Sequence, residues 1–464
     1  MRRPAPAPAL LALGVSAALA VIAPGRAAAH APDVYGFGSR GAAMGGALAA
    51  DATDFSASYY NPAGLAGATG LGLSLGYTYA ANDLRINDQP SGARDVHGLV
   101  GGLVAPGELA GIPFAFGLAT YMPDEGLSRI QALRQETPRW ELYDDRLSIL
   151  FLGANLAICP LPFLEIGGGL AFLASTRGGF EVTGRADVLS PYESKLRHQV
   201  DADLTTIRYP QLGARLRVSD LGFLGLTYRG EAKLPLSIDA SLDGVVDFAG
   251  VEVPLRYALE SRTIDGFLPQ QAVLGASFQR VEGLRVNLDL TWVNWSAYES
   301  PVARTRAHLE ADPPEGAGVE LPEDPKPTVP IPLEFEDRLV PRLGVEYVWP
   351  VAGPMREVRG EAKPRRALEV PLRAGYVYER SPVPPQTGVT NYVDADRHTI
   401  SLGAGVWWNH PGEVLPGALR LDVHGQLSVL PERVTEKANP ADFVGDYRAH
   451  GTMVNVGATL TAAF

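Results

Sequence analysis

Cysteine is almost missing from the 464 residues: Cys159 stands alone, so no internal disulfide can form. Long apolar runs are equally scarce. The one that exists, Leu10 to Ala23, follows Arg2 and Arg3 and leads into Ala27-Ala28-Ala29. That order of charge, apolar core and small-residue site is a secretory signal peptide over residues 1–29, with cleavage near Ala29. The run falls short of the about 20 residues that a membrane-spanning helix needs. Every later apolar stretch is interrupted by Arg, Asp, Asn or Gly, so the mature chain is either soluble or a β-barrel. Basic clusters are absent too. The net charge is -12, and removing Arg2, Arg3 and Arg26 with a leader that carries no acid gives -12 - 3 = -15, which argues against nucleic acid as a partner.

What the chain does have is two-residue periodicity, repeated from about residue 69 to the end. In the last segment Val454, Val456, Ala458, Leu460, Ala462 and Phe464 share one face, and Asn455, Gly457, Thr459 and Thr461 the other. Leu419, Leu421, Val423, Leu427 and Val429 alternate with Arg420, Asp422, His424, Gln426 and Ser428. A soluble sandwich alternates as well, so the connections between segments carry the distinction. Alternating segments are read at 69–80, 95–105, 113–122, 146–158, 162–178, 204–218, 222–234, 268–280, 283–295, 337–350, 367–379, 397–409, 417–430 and 450–464, an even number of about fourteen. Their connections are short and long in turn: Pro106 to Ile112 short, Pro123 to Asp145 long, Pro160-Leu161 short, Gly179 to Asp203 long, Asp220-Leu221 short, Pro235 to Phe267 long, Glu282 short, Ser296 to Glu336 long. Short periplasmic turns and long outer loops produce this alternation.

Two features depart from the pattern. Val351 to Arg366 is long and basic where a short turn is expected, and Pro341 and Pro371 interrupt strand segments. Trp292, Trp295, Tyr298, Tyr347, Trp349, Tyr376, Tyr378, Trp407 and Trp408 lie near segment ends, as interfacial girdles do. Ser300 to Pro332, rich in Pro and Glu, reads as a solvated outer loop. Leu127 to Leu133 reads either as a short amphipathic helix or as a loop packed on itself.

Ahead of the first strand, Ala31 to Gly67 is small-residue-rich and strand-poor. It carries Gly41-Ala42-Ala43-Met44-Gly45-Gly46-Ala47 and closes on Tyr60-Asn61-Pro62-Ala63-Gly64-Leu65. Further on stand Leu288-Asp289-Leu290-Thr291-Trp292-Val293-Asn294-Trp295-Ser296, then Leu372-Arg373-Ala374-Gly375-Tyr376 with Ser381-Pro382 and Asp394-Ala395-Asp396-Arg397-His398. In this order and spacing the chain resembles the FadL-type outer-membrane transporters of long-chain fatty acids and other hydrophobic compounds. The resemblance implies an all-β fold, a 14-stranded antiparallel transmembrane β-barrel plugged by a small N-terminal hatch. The corresponding division is a signal peptide at 1–29, a hatch at 30–67 and a barrel at 68–464. It also implies an internal pocket for an apolar ligand, and lateral release through a wall gap at a kinked third strand, where Gly117 lies between Pro113 and Pro123.

Asn61, Pro62 and Ala63 are the hatch and gating candidates. Pro62 fixes its own φ and biases Asn61 toward an extended backbone, while the Asn61 side chain can bond its own backbone nearby. The alternative is a turn that only starts the first strand. Alternation places Arg285, Arg342, Arg373 and Arg420 in the lumen, either as partners of a ligand carboxylate or in ion-pair networks with Asp289, Glu346 and Asp422. Asp394, Asp396 and His398 offer an incomplete metal-ligand set. His424, Asp422 and Ser428 contain the parts of a hydrolase without its geometry or a nucleophile motif.

The expected function is passive uptake of hydrophobic small molecules, with long-chain fatty acids first, by a non-enzyme without cofactor or metal in the bacterial outer membrane. Outer-membrane lipid is an expected partner, and so is the barrel assembly machinery through the strand ending in Phe464. A monomer is expected. The alternatives are a structural or adhesin-like barrel and a general porin for polar solutes.

Overall fold

The computed structural model describes residues 31–124, 136–143, 149–187, 195–248, 251–302, 304–311, 324, 326–327, 330–357, 364–411 and 417–464. The expected signal peptide and the segment Leu127 to Leu133 lie outside the described residues. Among the described residues no helix is long and apolar enough to cross a membrane. The crossing is made by strands.

Among the described residues seventeen strands have eight residues or more, in chain order β1 Gly72–Ile86, β2 Val96–Leu109, β3 Ile112–Pro123, β4 Phe151–Leu161, β5 Leu164–Asp187, β6 Lys195–Val218, β7 Gly222–Arg229, β8 Ala232–Phe248, β9 Val251–Leu268, β10 Gln271–Phe278, β11 Leu284–Val293, β12 Arg304–Ala311, β13 Arg338–Arg356, β14 Arg365–Glu379, β15 Arg397–Asn409, β16 Ala418–Thr435 and β17 Tyr447–Ala463. All except β8, β9 and β12 form a closed antiparallel barrel of fourteen strands, in which each pairs with the next barrel strand. The seam closes between β1 and β17, in register from Gly72 against Ala463 to Ile86 against Ala449. A closed barrel leaves no backbone edge in the membrane.

The alternation that defined the strands also assigns their faces. Outward positions are apolar and exposed, among them Leu75, Leu226, Leu274, Leu288, Leu339, Ile400, Leu402 and Leu460. Inward positions include buried polar side chains such as Asn155, Gln211, Asn287, Glu346, Arg373 and Asn455. An exposed apolar belt around a polar interior is the reverse of a soluble protein and fits lipid outside. All fourteen expected barrel segments coincide with observed strands. Pro341 and Pro371 stay within β13 and β14, paired with Leu290 and Val348. Much of the long inner connection Val351 to Arg366 is strand: β13 runs on to Arg356 through register shifts at Pro350/Ala352 and Ala352/Met355.

Three outer connections differ from expectation. Gly179 to Asp203, read as a loop, largely prolongs β5 and β6, which are 24 residues each. A membrane strand needs about ten, so these two reach roughly 45 Å beyond the membrane. Pro235 to Phe267 is the β8–β9 hairpin, and β8 also runs parallel to β5 from Ile238 against Gly178 to Asp247 against Asp187. Ser300 to Pro332, expected as a solvated loop, contains β12, which pairs with β9. Ala240, Val253, Leu255 and Leu259 turn to the buried face of this outer sheet while Asp239 and Glu260 are exposed, so its apolar face is shielded above the membrane.

Candidate functional site

Residues 31–67 fold as α1 Ala31–Tyr35, α2 Gly38–Ala43, α3 Ala57–Tyr60 and a 3-10 turn at Pro62–Gly67. Large side chains are few, and the backbone packs directly on wall glycines. A Cβ on Gly403 would meet Ala43, on Gly344 Met44, on Gly225 Ala49, on Gly167 Pro62 and Ala63, and on Gly117 Ser58 and Leu65. Those glycines sit on β15, β13, β7, β5 and β3, so the segment packs against several wall strands. It runs from the outer end, where the Tyr35 hydroxyl donates to Asn82 of β1 at 2.7 Å, to the inner end, where β1 begins. Phe37, Phe55, Tyr59 and Phe151 stack into a small aromatic core that joins it to β4.

Asn61 fastens the inner end. Its backbone is extended, at φ -160° and ψ 106°, as the residue before a proline prefers. The side-chain oxygen accepts from the Ala63 amide at 3.1 Å, and the side-chain nitrogen donates to the carbonyls of Ala49 at 2.6 Å and Ala214 of β6 at 3.1 Å. One amide thus caps the 3-10 turn, ties it to the segment and ties both to the wall. Gly213 makes room for this: a Cβ there would lie 2.0 Å from Asn61 Oδ1. Gly117 faces the lumen within β3, and both of its ladders, to β2 and β4, pass it without a register shift.

The four arginines assigned to the lumen do not act alike. Glu346, fully buried, accepts from Arg40 of α2 at 3.1 Å, from Arg285 at 2.8 Å and from Arg373 at 2.6 Å. Arg373 also donates to Asp422 at 2.7 Å, and Arg40 reaches Asp51. Arg420 lies over the Trp407 ring at 4.7 Å. Arg285 and Arg373 therefore belong to a network that holds the N-terminal segment. Asp289, expected among the ion pairs, instead accepts from the Ala49 amide at 2.9 Å and braces the same segment. Arg342 differs, as it donates to the Gly45 carbonyl at 3.3 Å and lines a cavity.

That cavity, of about 40 Å³, lies between the N-terminal segment and the wall, bordered by Asp33, Tyr59, Arg229, Asp289, Arg342 and Arg397. A second, of about 30 Å³, is bordered by Asp33, Tyr143, Trp295, Arg338, Arg342, Glu379 and Arg397. Each has room for a water molecule or two, and neither has room for a hydrocarbon chain. The pocket implied by the resemblance was apolar; these are small and rich in arginine. Arg229, Arg338 and Arg397 were missed as lumen groups from the sequence; Arg229 follows the outward Tyr228 and Arg338 precedes the outward Leu339, which is a signal that marks them, whereas Arg397 stands between Asp396 and His398 and carries no such mark.

Above these cavities the described parts of the outer connections pack on one another. Phe267, Trp295, Tyr298, Phe335 and Tyr392 form a chain of rings 5.2 to 6.1 Å apart. Tyr298 donates to Glu141 at 2.6 Å, and Arg139 to Glu141 at 2.6 Å. The Lys437 ammonium donates to the carbonyls of Gln386, Gly388 and Thr390 at 2.9, 2.5 and 3.1 Å, gathering that connection around one cation. Trp295 and Tyr298 are therefore cap residues and not girdle residues, because the strand alternation ends in a 3-10 turn at Trp295–Ala297. Trp407 also points inward, donating to Asp422 at 3.2 Å. Tyr347, Trp349, Tyr376 and Trp408 remain exposed on the outside, as a girdle requires.

Among the described residues no group of three His, Cys, Asp or Glu side chains could hold a metal ion. Asp396 accepts from the Tyr378 hydroxyl at 2.7 Å and from the Ser381 amide at 2.9 Å, bracing the connection, while His398 pairs with the Tyr376 hydroxyl at 2.8 Å. Asp394 is buried beneath that connection, and burial pushes its carboxyl up to about 6. His424 bonds Asn455, Ser428 bonds Thr399 and Asp422 bonds Arg373, so the three are engaged apart from one another.

No protein-family model matches the chain. Alkane uptake protein A of Marinobacter nauticus is 26% identical over 413 residues, covering 82% of this chain and 79% of that protein. Among solved structures, a Pseudomonas aeruginosa FadL homologue superposes with a TM-score of 0.53 at 15% identity, over 92% of this chain and 97% of its own. The Pseudomonas putida toluene transporter TodX gives 0.51 at 15% identity, over 93% and 99%. The Ralstonia pickettii toluene transporter TbuX gives 0.50 at 17%, also over 93% and 99%.

Proposed function

We propose that this chain is a FadL-type transporter barrel of the bacterial outer membrane and that it takes up hydrophobic small molecules passively, with long-chain fatty acids foremost. The observation that carries this reading is the packing of residues 31–67 against inward-facing glycines of several wall strands, beside cavities of about 40 and 30 Å³. An open porin needs a continuous water path, and a purely structural barrel needs no fastened plug. A hydrophobic solute is repelled by the polar sugars of the outer leaflet, so a protein must take it from water and deliver it to the membrane. The driving force is transfer out of water, about 0.8 kcal/mol per buried CH₂, with no energy source in the protein itself.

In this reading residues 30–67 act as a hatch, and Asn61, Pro62 and Ala63 form the point at which it releases the inner end of the lumen. Ligand then leaves sideways through the wall, with the third strand at Gly117 as the candidate kink, although both ladders are unbroken there in this state. Its similarity to an alkane uptake protein and to toluene transporters supports a hydrophobic cargo. Uptake by proteoliposomes or by cells lacking their own transporter, compared for oleate, toluene and a sugar, tests the proposal. Entry of oleate or toluene with exclusion of the sugar is expected. Entry of the sugar alone overturns it in favour of a porin, and entry of nothing in favour of a structural barrel.

A further inference from the structure

The outer sheet carries its charges on one face, and they are unevenly satisfied. Among the described residues β12 is its last strand, pairing with β9 from Leu255 against Ala311 to Arg262 against Arg304. Partners in this ladder share a face, so Arg256, Glu260 and Arg262 of β9 lie on the same exposed side as Arg304, Arg306 and Glu310 of β12. The neighbouring strand β8 adds Asp239 and Asp243 to that side. Arg256 pairs with Asp243 at 3.3 Å and with Glu310 at 3.7 Å, and Arg262 pairs with Asp239 at 2.6 Å. These charges neutralise one another.

Three cations do not take part. Arg304 and Arg306 of β12 and Lys326 are exposed, and among the described residues none of them forms an ion pair. Glu260 stands opposite Arg306 in the ladder without closing a pair with it, and Arg304 stands directly opposite Arg262. Like charges so placed destabilise a sheet, and an anion held between them removes the penalty. Arg306 and Lys326 line a groove of about 490 Å³ together with Ala258, Ala307 and Pro327. That is within the roughly 300–1,000 Å³ of clefts that bind small molecules. The groove is tied in place by Asp324, which accepts from the Leu309 amide at 3.0 Å and bonds His308 at 2.8 Å. Its carboxylate is thereby engaged away from Arg306 and Lys326.

We infer that Arg304, Arg306 and Lys326 form a docking strip for phosphate groups on the sugars of the outer-leaflet glycolipid. The strip stands at the height of those sugars. Gln270 accepts from the exposed Tyr228 hydroxyl of the outer girdle at 3.0 Å, and Arg262, beside Arg304, lies 270 - 262 = 8 residues further out. At about 3.3 Å per residue this is roughly 26 Å along the chain. Charge complementarity points to the same occupant. A chain of net charge -12 is repelled by a phosphate-bearing layer, and uncompensated cations on the part that crosses the layer offset that repulsion. The two guanidinium forks can each take a pair of phosphate oxygens, while Lys326 adds a point charge. The groove beside them leaves room for the sugar that carries the phosphate. Docking would anchor the long outer sheet within the layer that hydrophobic solutes must cross.

Calorimetric titration of the purified full-length barrel with phosphorylated core oligosaccharide, freed from its lipid, tests this. The same oligosaccharide after enzymatic removal of phosphate, and inorganic phosphate alone, are the comparison ligands. The phosphorylated oligosaccharide should bind on the order of tenfold more tightly than either, as a few exposed charge pairs allow, and its affinity should fall at high salt. Arg304→Gln, Arg306→Gln and Lys326→Gln, made singly, should each lower that affinity several-fold, and the triple variant should bind it no better than the dephosphorylated form. Uptake of oleate and toluene by proteoliposomes free of the glycolipid should be unchanged in all of them, so the outcome is independent of the uptake reading. Equal binding of the two oligosaccharides, binding of neither, or unchanged affinity in the triple variant overturns the inference. Inorganic phosphate binding as tightly as the phosphorylated oligosaccharide also overturns it, in favour of an unspecific anion site.

Discussion

Arg40, on the second short helix of the lumen segment, donates twice to Glu346 of β13, at 3.1 and 3.2 Å, across 306 residues of sequence. Glu346 is simultaneously the acceptor for Arg285 and Arg373, so a single fully buried carboxylate joins the segment to two wall strands. A charge so placed is costly to bury and far costlier to leave unpaired.

The first prediction concerns that carboxylate. Glu346→Ala leaves three guanidinium groups in a dry interior without their common partner. The loss should be about 3 to 5 kcal/mol. It should appear as a lower temperature for heat-modified migration on gels and as greater sensitivity of cells to large antibiotics. Glu346→Gln should fall between, because it keeps an acceptor and loses the charge.

The second concerns Asn61. Its side chain makes three hydrogen bonds, to Ala63, Ala49 and Ala214, and the Ala49 carbonyl is left buried when the amide is removed. Asn61→Ala should cost the fastening of the segment about 2 kcal/mol while sparing the barrel. Faster hydrogen exchange confined to residues 49–67 is the expected signature. Gly213→Val should resemble it, because even a Cβ at that position falls within 2.0 Å of Asn61 Oδ1.

The third is a pH dependence of the outer cap. Burial raises the folded-state pKa of Asp394 to about 6, above its ordinary value. Between the two values the folded state therefore holds more protons than the unfolded one. Its contribution to stability is complete below about 4 and is lost as pH rises through 6. Hydrogen exchange at residues 139–143 and 391–396, which pair through Arg139 with Tyr392 and Trp140 with Val393, should quicken over that window. Asp394→Asn should flatten the profile.

How much of this was legible before the structure follows from what lies on each side of a strand. Lipid outside and a polar lumen inside force Leu419, Leu421 and Val423 to alternate with Arg420, Asp422 and His424, so the wall could be read residue by residue. The outer sheet alternates too, with Ile238, Ala240 and Leu242 against Ser237, Asp239 and Ser241. Its second face meets water instead of lipid, and the Asp, Ser and Gly found there read as loop. Alternation also gives the side of the wall on which an arginine lies and nothing about its partner. Arg373 and Arg285 proved to pair with Glu346, while Arg229 pairs with Asp33, and Arg338 and Arg397 with Glu379. No local pattern encodes that pairing. The cap aromatics were mistaken for girdle residues at Trp295 and Tyr298 for a related reason: the two-residue period stops where the strand stops.

The last prediction addresses whether the lumen segment must move. Ser39 on α2 lies against β17, its hydroxyl oxygen 2.9 Å from that of Thr459, and its amide donates to the same atom at 3.1 Å. Replacing both with cysteine, in a Cys159→Ser background so that no other thiol competes, should allow a disulfide between segment and wall. The side chains are buried, so the bond should form during folding and not by later reagent access. If the segment is a hatch, the oxidised variant should fold and reach the membrane yet fail to take up oleate, and reduction should restore uptake. Full uptake in the oxidised state would mean that ligand passes with α2 fixed to β17, which would confine any gating to the first turn around Asp33 and the inner turn at Asn61.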